Sequence, residues 1–335
     1  MALITKYGSF WGMIPQTSGR YFWVAPAATY TVEGQSYESS DNNDGLSPER
    51  ALRTVNQAIT NATASVGDVI VMLPGSHSVT TPIVINKAGL TITGIPGKDR
   101  SFTTRHASGS KRLRTQLTST QTAGICMTVS APDAEIAFIH FAPPAAGGRG
   151  ISLTPTLATA NRVYVHDCTF ALQATASVTT YGIHVPANVT ADVLDESLIS
   201  GCYFVSGLDT SSGANGAGVL IAGTAHGFTI ENSTFELKGT AAWAAAIDLV
   251  PISVGAHLGI VIRDNDFINP TSSTTVITTA VRSVTATTIA SVHMLRNYVS
   301  AGTDGATAVA NNVIAFAENY LAGVASPFGA LFGNV

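Results

Sequence analysis

The stretch Gly259-Ile-Val-Ile-Arg-Asp-Asn-Asp-Phe-Ile-Asn269 is written several times over in this chain. Upstream stand Arg162-Val-Tyr-Val-His-Asp-Cys-Thr-Phe170, Glu196-Ser-Leu-Ile-Ser-Gly-Cys-Tyr-Phe204 and Gly227-Phe-Thr-Ile-Glu-Asn-Ser-Thr-Phe235. Downstream come Ser291-Val-His-Met-Leu-Arg-Asn-Tyr-Val299 and Asn312-Val-Ile-Ala-Phe-Ala-Glu-Asn-Tyr-Leu321. Each copy is a short apolar/polar alternation, a small or amide residue at a bend, and a large apolar residue two places on. The bend falls at Cys168, Cys202, Ser233, Asn265, Asn297 and Asn319, and the large residue at Phe170, Phe204, Phe235, Phe267, Val299 and Leu321. Successive copies are 31 to 34 residues apart, except for a final interval of 22.

A period in this range that contains strands and few helix formers predicts a stacked β-solenoid. A second strand recurs earlier in the period, at Gly150-Ile-Ser-Leu-Thr154, Gly182-Ile-His-Val-Pro186, Gly218-Val-Leu-Ile-Ala222 and Ala246-Ile-Asp-Leu-Val250. Two strand signals and a variable loop per coil fit an all-β fold, a right-handed single-stranded parallel β-helix. Equivalent residues then stack about 4.8 Å apart along the axis. Phe170, Phe204, Phe235 and Phe267 are the expected interior ladder, and the bend asparagines are placed to bond from coil to coil. Cys168 and Cys202 occupy the same slot one coil apart. They read as buried thiols rather than a bridge in a protein made in a reducing compartment.

Charged residues make up 11% of the 335 positions, with a formal net charge of −4. That is less than half the usual charged share of roughly 25%, and it offers no basic field for nucleic acid. No apolar run of about 18 residues is present to span a membrane. The opening Met1-Ala-Leu-Ile-Thr-Lys-Tyr-Gly-Ser-Phe-Trp-Gly12 lacks the charged head, apolar core and cleavage site of a secretory signal, so export by that route is not expected.

Residues 1–40 hold eight of the 25 aromatics, broken up by glycine and proline. This composition predicts an extended attachment arm in which Tyr7, Phe10, Trp11, Tyr21, Phe22 and Trp23 bury themselves on a partner; wrapping of the arm on its own solenoid is the alternative. Residues 41–66 read as a cap. Ser47 is a suitable N-cap, Pro48 suits the first helical position, and Leu52, Val55 and Ile59 form an apolar stripe. Asp41, Asn43 and Gly45 imitate the start of a calcium loop but lack its later glutamate, and read as the turn into the cap helix. The solenoid is expected over 67–325 and a small apolar tail over 326–335. A basic insertion, including Arg105, Lys111, Arg112 and Arg114, is either solvated or a contact for an acidic surface.

The run Asp44-Gly-Leu-Ser-Pro-Glu-Arg-Ala51, followed by Gly67-Asp-Val-Ile-Val71 and Leu73-Pro-Gly75, resembles the opening of the pectate-lyase-like right-handed parallel β-helix superfamily. It is similar in particular to versions without a signal peptide that occur as structural proteins of tailed bacteriophages.

For chemistry on the coils, the best cluster is Asp264, Asp266 and Glu231, with Arg263 and Arg282 one coil away. Carboxylates about 5 to 9.5 Å apart suit glycoside hydrolysis, and by analogy with lyases of this fold a calcium site with an arginine base suits elimination. The polygalacturonase-like signature of adjacent aspartates, a histidine-glycine pair and an arginine-isoleucine-lysine run is absent as a set, Ala225-His226-Gly227 being only a fragment of it, and Arg263, Asp264 and Asp266 alternate as solvated outer residues do. His140 and His166 fall at different positions of their coils, so no metal-ligand spacing is presented.

The resulting expectation is a non-enzymatic virion protein without metal or cofactor. It would be a capsid decoration or cement subunit, made in the host cytoplasm and bound as a homotrimer to the major capsid protein on the capsid exterior. The alternative is a tail spike or fibre subunit that binds or cleaves a host surface polysaccharide.

Overall fold

A computed structural model describes residues 17–95, 115–121, 124–144, 147–154, 162–172, 180–187, 194–206, 216–237, 245–250, 258–268, 279–283 and 292–299, together with the strand backbones at 307–310, 315–317 and 320–321. The chain is a right-handed parallel β-helix. Three sheets run its length: one of ten strands from Tyr21–Val24 to Ala315–Ala317, one of nine from Gly75–Val79 to Tyr320–Leu321, and one of eight from Ile83–Ile85 to Thr307–Ala310. They are called the first, second and third sheets below.

The repeated motif supplies two of the three sheets. In its copy at 259–269, Ile260–Arg263 lies in the first sheet and Asp266–Ile268 in the second. The chain turns between them because the residue before the bend adopts a left-handed conformation, φ being 56° at Asp264. The same holds for Phe138, Asp167, Gly201, Asn232 and Arg296. The bend residue then points inward.

A bend amide lies outside the strand ladders and still needs an acceptor. The next coil's side chain provides it. Cys202 N donates to Ser233 Oγ at 3.1 Å, Ser233 N to Asn265 Oδ1 at 3.0 Å, and Asn265 N to Asn297 Oδ1 at 3.1 Å. Asn265 Nδ2 also donates to Asn297 Oδ1 and to the Ile230 carbonyl, each at 3.0 Å. Cys168 and Cys202 are free and buried, each thiol directed at a backbone carbonyl.

Two residues beyond the bend, Phe141, Phe170, Phe204, Phe235 and Phe267 form one column, with ring centroids 4.7 to 5.1 Å apart and planes within 13° of parallel. The rings crowd the third sheet. A Cβ at Gly150, Gly182 or Gly218 would sit 2.7 to 2.8 Å from Cδ1 of Phe170, Phe204 or Phe235. Glycine at these positions is a packing requirement of the column.

Two expectations about the amino-terminal region need correction. Tyr21–Val24 pairs in parallel with Val69–Met72 as the terminal strand of the first sheet, so the stretch up to residue 40 is not a free arm where it is described. Phe22 and Trp23 are only 2% exposed and lie against their own chain, because the alternating Tyr-Phe-Trp-Val sequence completes the first coil. They are not available to a partner, and Tyr21 sits half-buried beside them. Tyr7, Phe10, Trp11, the basic residues Arg105, Lys111, Arg112 and Arg114, and the tail 326–335 lie outside the described residues.

The cap is also divided. Pro48–Arg50 is a 3-10 turn without a side-chain cap from Ser47, and the helix is Val55–Asn61, capped by Thr54 Oγ1 accepting from Gln57 N at 3.2 Å. Leu52 leaves the helix because its backbone bonds the free edge of the first strand, its N–H to Trp23 O at 2.8 Å and its carbonyl from Ala25 N at 2.9 Å. This covers an edge otherwise open to pairing. Asp41 fixes the turn, its Oδ1 accepting from Arg53 N and Thr54 N.

Coils are also clasped on the outside of the first sheet. His166 Nε2–H donates to Glu135 Oε1 at 2.9 Å and Nδ1–H to Asp167 Oδ2 at 2.8 Å, while its ring stacks on Tyr164. Burial opposes the ring's charge, but the two carboxylates outweigh burial and push its pKa up to about 9.

Phe204→Ala should cost about 3–5 kcal/mol of unfolding free energy and Gly182→Ala about 1–3 kcal/mol through overpacking, both read by urea titration; a Gly182→Ala protein as stable as wild type would show that the column does not need the glycine. The His166 clasp is a raised-pKa group, so its stabilisation is complete below the ordinary histidine value of about 6.5 and disappears as pH rises through about 9. The melting-temperature gap between wild type and His166→Gln should therefore be wide at pH 6 and closed at about pH 10; an equal gap at both would contradict the clasp.

Candidate functional site

Alternation puts every second residue of the third sheet outside. Ile151, Ile183, Val219, Ile247 and Val281 register on one another inside the solenoid and are buried. One place further along, facing out, Ser152, His184, Leu220, Asp248 and Arg282 occupy successive rungs. At the start of the same strands alternation is interrupted, because Gly150 and Gly182 face the phenylalanine column, and Arg149 and the Tyr181 on which it registers lie on the outer side with His184. The sheet thus presents a row of polar side chains on one wall.

The row is unusually well covered for an outer face. Ser152, His184, Leu220 and Asp248 are each less than 8% exposed. Arg282 grips Asp248 with two hydrogen bonds, Nε to Oδ1 at 3.0 Å and Nη2 to Oδ2 at 2.5 Å. That hydrogen-bonded carboxylate raises the Arg282 pKa. The Tyr181 and His184 rings stack, with centroids 5.5 Å apart. Burial first, and the neighbouring Arg149 charge second, push His184 down to about 4, so its ring is neutral at pH 7. Arg149 Nε and His184 Nδ1 are buried without a hydrogen-bond partner in the structure.

A buried, unbonded polar atom costs about 1–3 kcal/mol, and native structures contain few of them. Two such atoms on neighbouring rungs, beside a tyrosine and a fixed carboxylate–guanidinium pair, make this wall the best candidate site. It offers charged and neutral donors, a carboxylate and an aromatic face, all carried on rigid strands. An extended polymer lying along the axis would meet a new rung about every 4.8 Å.

The cluster expected from sequence does not assemble. Glu231 is on the first sheet, ion-paired with Arg263 at 2.5 Å and accepting from Ser200 Oγ. Asp264 is at the left-handed corner, where two hydrogen bonds from Arg296 at 2.8 Å hold its pKa below the usual carboxylate range. Asp266 belongs to the second sheet and Arg282 to the third. Four of the five therefore lie off the third-sheet wall, and only Arg282 belongs to it. The residues missed were Arg149, Tyr181, His184 and Asp248. For His184 and Asp248 the signal was the third letter of the second repeated strand, whereas Arg149 and Tyr181 stand one place ahead of that strand's first glycine and carried no such signal. Among the described residues no group of three or more histidine, cysteine or acidic side chains gathers to hold a metal.

A groove of about 430 Å³ lies elsewhere, at the corner leading into the first sheet, lined by Arg162, Asp195, Glu196, His226 and Gly227. Its arginine is already paired with Asp133 at 2.6 Å, and its histidine stands 3.5 Å from Asp195.

No family model and no curated protein matches the sequence. Solved structures do match. The pectin methylesterase PemA from Erwinia chrysanthemi is 15% identical, with 92% of this chain and 91% of that one covered and a TM-score of 0.46. An alginate lyase from a Paenibacillus strain is 16% identical, covering 80% and 92% at a TM-score of 0.39. A Geobacillus virus E2 protein, ORF18, is 12% identical, covering 79% and 56% at a TM-score of 0.33. At these identities the likeness is one of fold. The expectation of a non-enzymatic protein is corrected to this extent: the solved structures with this architecture include proteins named as enzymes, a pectin methylesterase and an alginate lyase. What is established is a parallel β-helix similar in architecture to proteins named for action on polysaccharides.

Proposed function

We propose that the chain is a virion subunit of the tail-spike or fibre kind, which binds or cleaves a host surface polysaccharide along the outer wall of its third sheet. The observation that carries this reading is the row Arg149, Tyr181, His184, Asp248 and Arg282, with two buried nitrogens still unbonded. Sugars carry hydroxyls that accept from guanidinium and either donate to or accept from a neutral imidazole. Convergent polar groups on a rigid, partly covered wall are what a ligand of that chemistry requires.

The test is titration calorimetry with purified host capsule or lipopolysaccharide, followed by chromatography of the incubated polymer for shortened chains or unsaturated ends. Arg149→Ala should weaken binding about tenfold or more, the worth of a hydrogen bond to a charged group, without lowering the melting temperature, because no described acid pairs with it and its Nε is buried without a partner. Equal affinity in wild type and variant, or no binding to any host polysaccharide, would remove this reading.

A second reading is a capsid decoration or cement protein, bound as a homotrimer to the major capsid protein on the capsid exterior and made in the host cytoplasm. The 11% charge and the aromatics Tyr7, Phe10 and Trp11 ahead of the first coil support it. Deleting residues 2 to 16 spares Tyr21–Val24 and the first coil. It should abolish occupancy on purified particles while leaving the circular dichroism of the solenoid intact. Wild-type occupancy would rule this reading out.

A further inference from the structure

One charge on the third-sheet wall is unanswered. Arg282 and Asp248 neutralise each other through two hydrogen bonds. Arg149 has no carboxylate or carbonyl on its guanidinium among the described residues, and its Nε is closed off from solvent. On the next rung stands His184, 6% exposed, with Nδ1 also unbonded. The groups facing that ring are Arg149 and Ser152 from the rung below, Tyr181 from its own strand and Leu220 from the rung above. Asp248 and Arg282 stand two and three rungs up, already bonded to each other. The described surroundings of His184 therefore contain an unpaired cation and no free anion.

Resting on the polysaccharide reading of the same wall, we propose that Arg149 and His184 form an anion subsite that takes an acidic substituent of the glycan, a carboxylate or a sulfate, together with one proton from solvent onto His184. The guanidinium supplies the fixed charge. Bound there, the anion cancels the Arg149 field at the imidazole and gives a protonated Nδ1 an acceptor. Both changes favour the charged ring.

The direction of the pH dependence follows. The ring's pKa is about 4 when the subsite is open and higher when an anion fills it, so binding takes up a proton. Affinity for an acidic glycan rises as pH falls through the bound-state value, by up to about tenfold per unit, and levels off below the free value. A neutral glycan shows no such slope.

The experiment measures dissociation constants at pH 7.5 and pH 5 for three probes: alginate oligomers for the carboxylate, dextran sulfate oligomers for the sulfate, and plain dextran as the neutral control. Binding of one acidic probe should tighten at least about tenfold at the lower pH, that of dextran should not, and the responding probe identifies the source of the anion. His184→Gln should flatten the slope yet still bind, and Arg149→Gln should weaken the acidic probe at both pH values. Carbon-labelled histidine, followed by NMR in wild type, gives the same answer without a variant: the His184 titration should move up when the oligomer is added. A pH-independent constant for both acidic probes, an unchanged slope in His184→Gln, or a His184 titration unmoved by ligand would overturn the subsite while leaving polysaccharide binding standing. Failure of all three probes and of host polysaccharide to bind at either pH would overturn the parent reading and the subsite together.

Discussion

The bend between the first and second sheets is the constraint on which this solenoid depends. A residue in the left-handed region turns the chain, and the amide just beyond it faces the interior, where water cannot satisfy it. The next coil answers with a serine or asparagine oxygen, at Ser233, Asn265 and Asn297. An amide buried without that acceptor costs about 1–3 kcal/mol. A coil displaced by even one residue would lose the bond and turn its apolar side chains outward. The bend thus fixes the register.

Once register is fixed, like falls on like. Each phenylalanine ring rests on the one below at close to the strand spacing, and stacked aromatic pairs add about 0.5–1.5 kcal/mol each beyond their area. The rings are thick enough that the facing strand must lack a side chain at Gly150, Gly182 and Gly218. Outside, the same stacking puts acids beside arginines from neighbouring coils: Asp133 with Arg162, Glu231 with Arg263, Asp248 with Arg282 and Asp264 with Arg296. The exposed pairs among them, Asp133 with Arg162 and Asp264 with Arg296, are individually worth little. Their effect is to let a parallel stack carry charge without like charges lying on each other. Against that pattern Arg149, with no acid beside it among the described residues, is conspicuous on the wall it shares with His184.

The amino-terminal segment shows how stacking overrides composition. Aromatic content between broken elements suggested a strand of chain seeking a partner's surface, and for Phe22 and Trp23 the surface it found was its own. The open end of a solenoid is itself an interface, with unpaired strand edges and an exposed apolar interior, and the nearest chain able to cover it is the preceding one. The hairpin Thr29–Val32 and Gln35–Glu38, the turn at Asp41 and the helix Val55–Asn61 complete that closure.

Sequence alone determined the parallel β-helix, its period, the phenylalanine column and the hydrogen bonding from Asn265 to Asn297, because each is a local pattern that repetition multiplies. It did not determine which outward residues share a wall. Asp264, Asp266 and Arg282 are near in sequence but lie at a corner and on two different sheets, whereas Arg149 and Asp248 are 99 residues apart and share one face. That assignment depends on how many sheets a coil is folded into and on where each left-handed corner falls. Those are properties of the closed cross-section, and only packing of all three sheets around one core decides them.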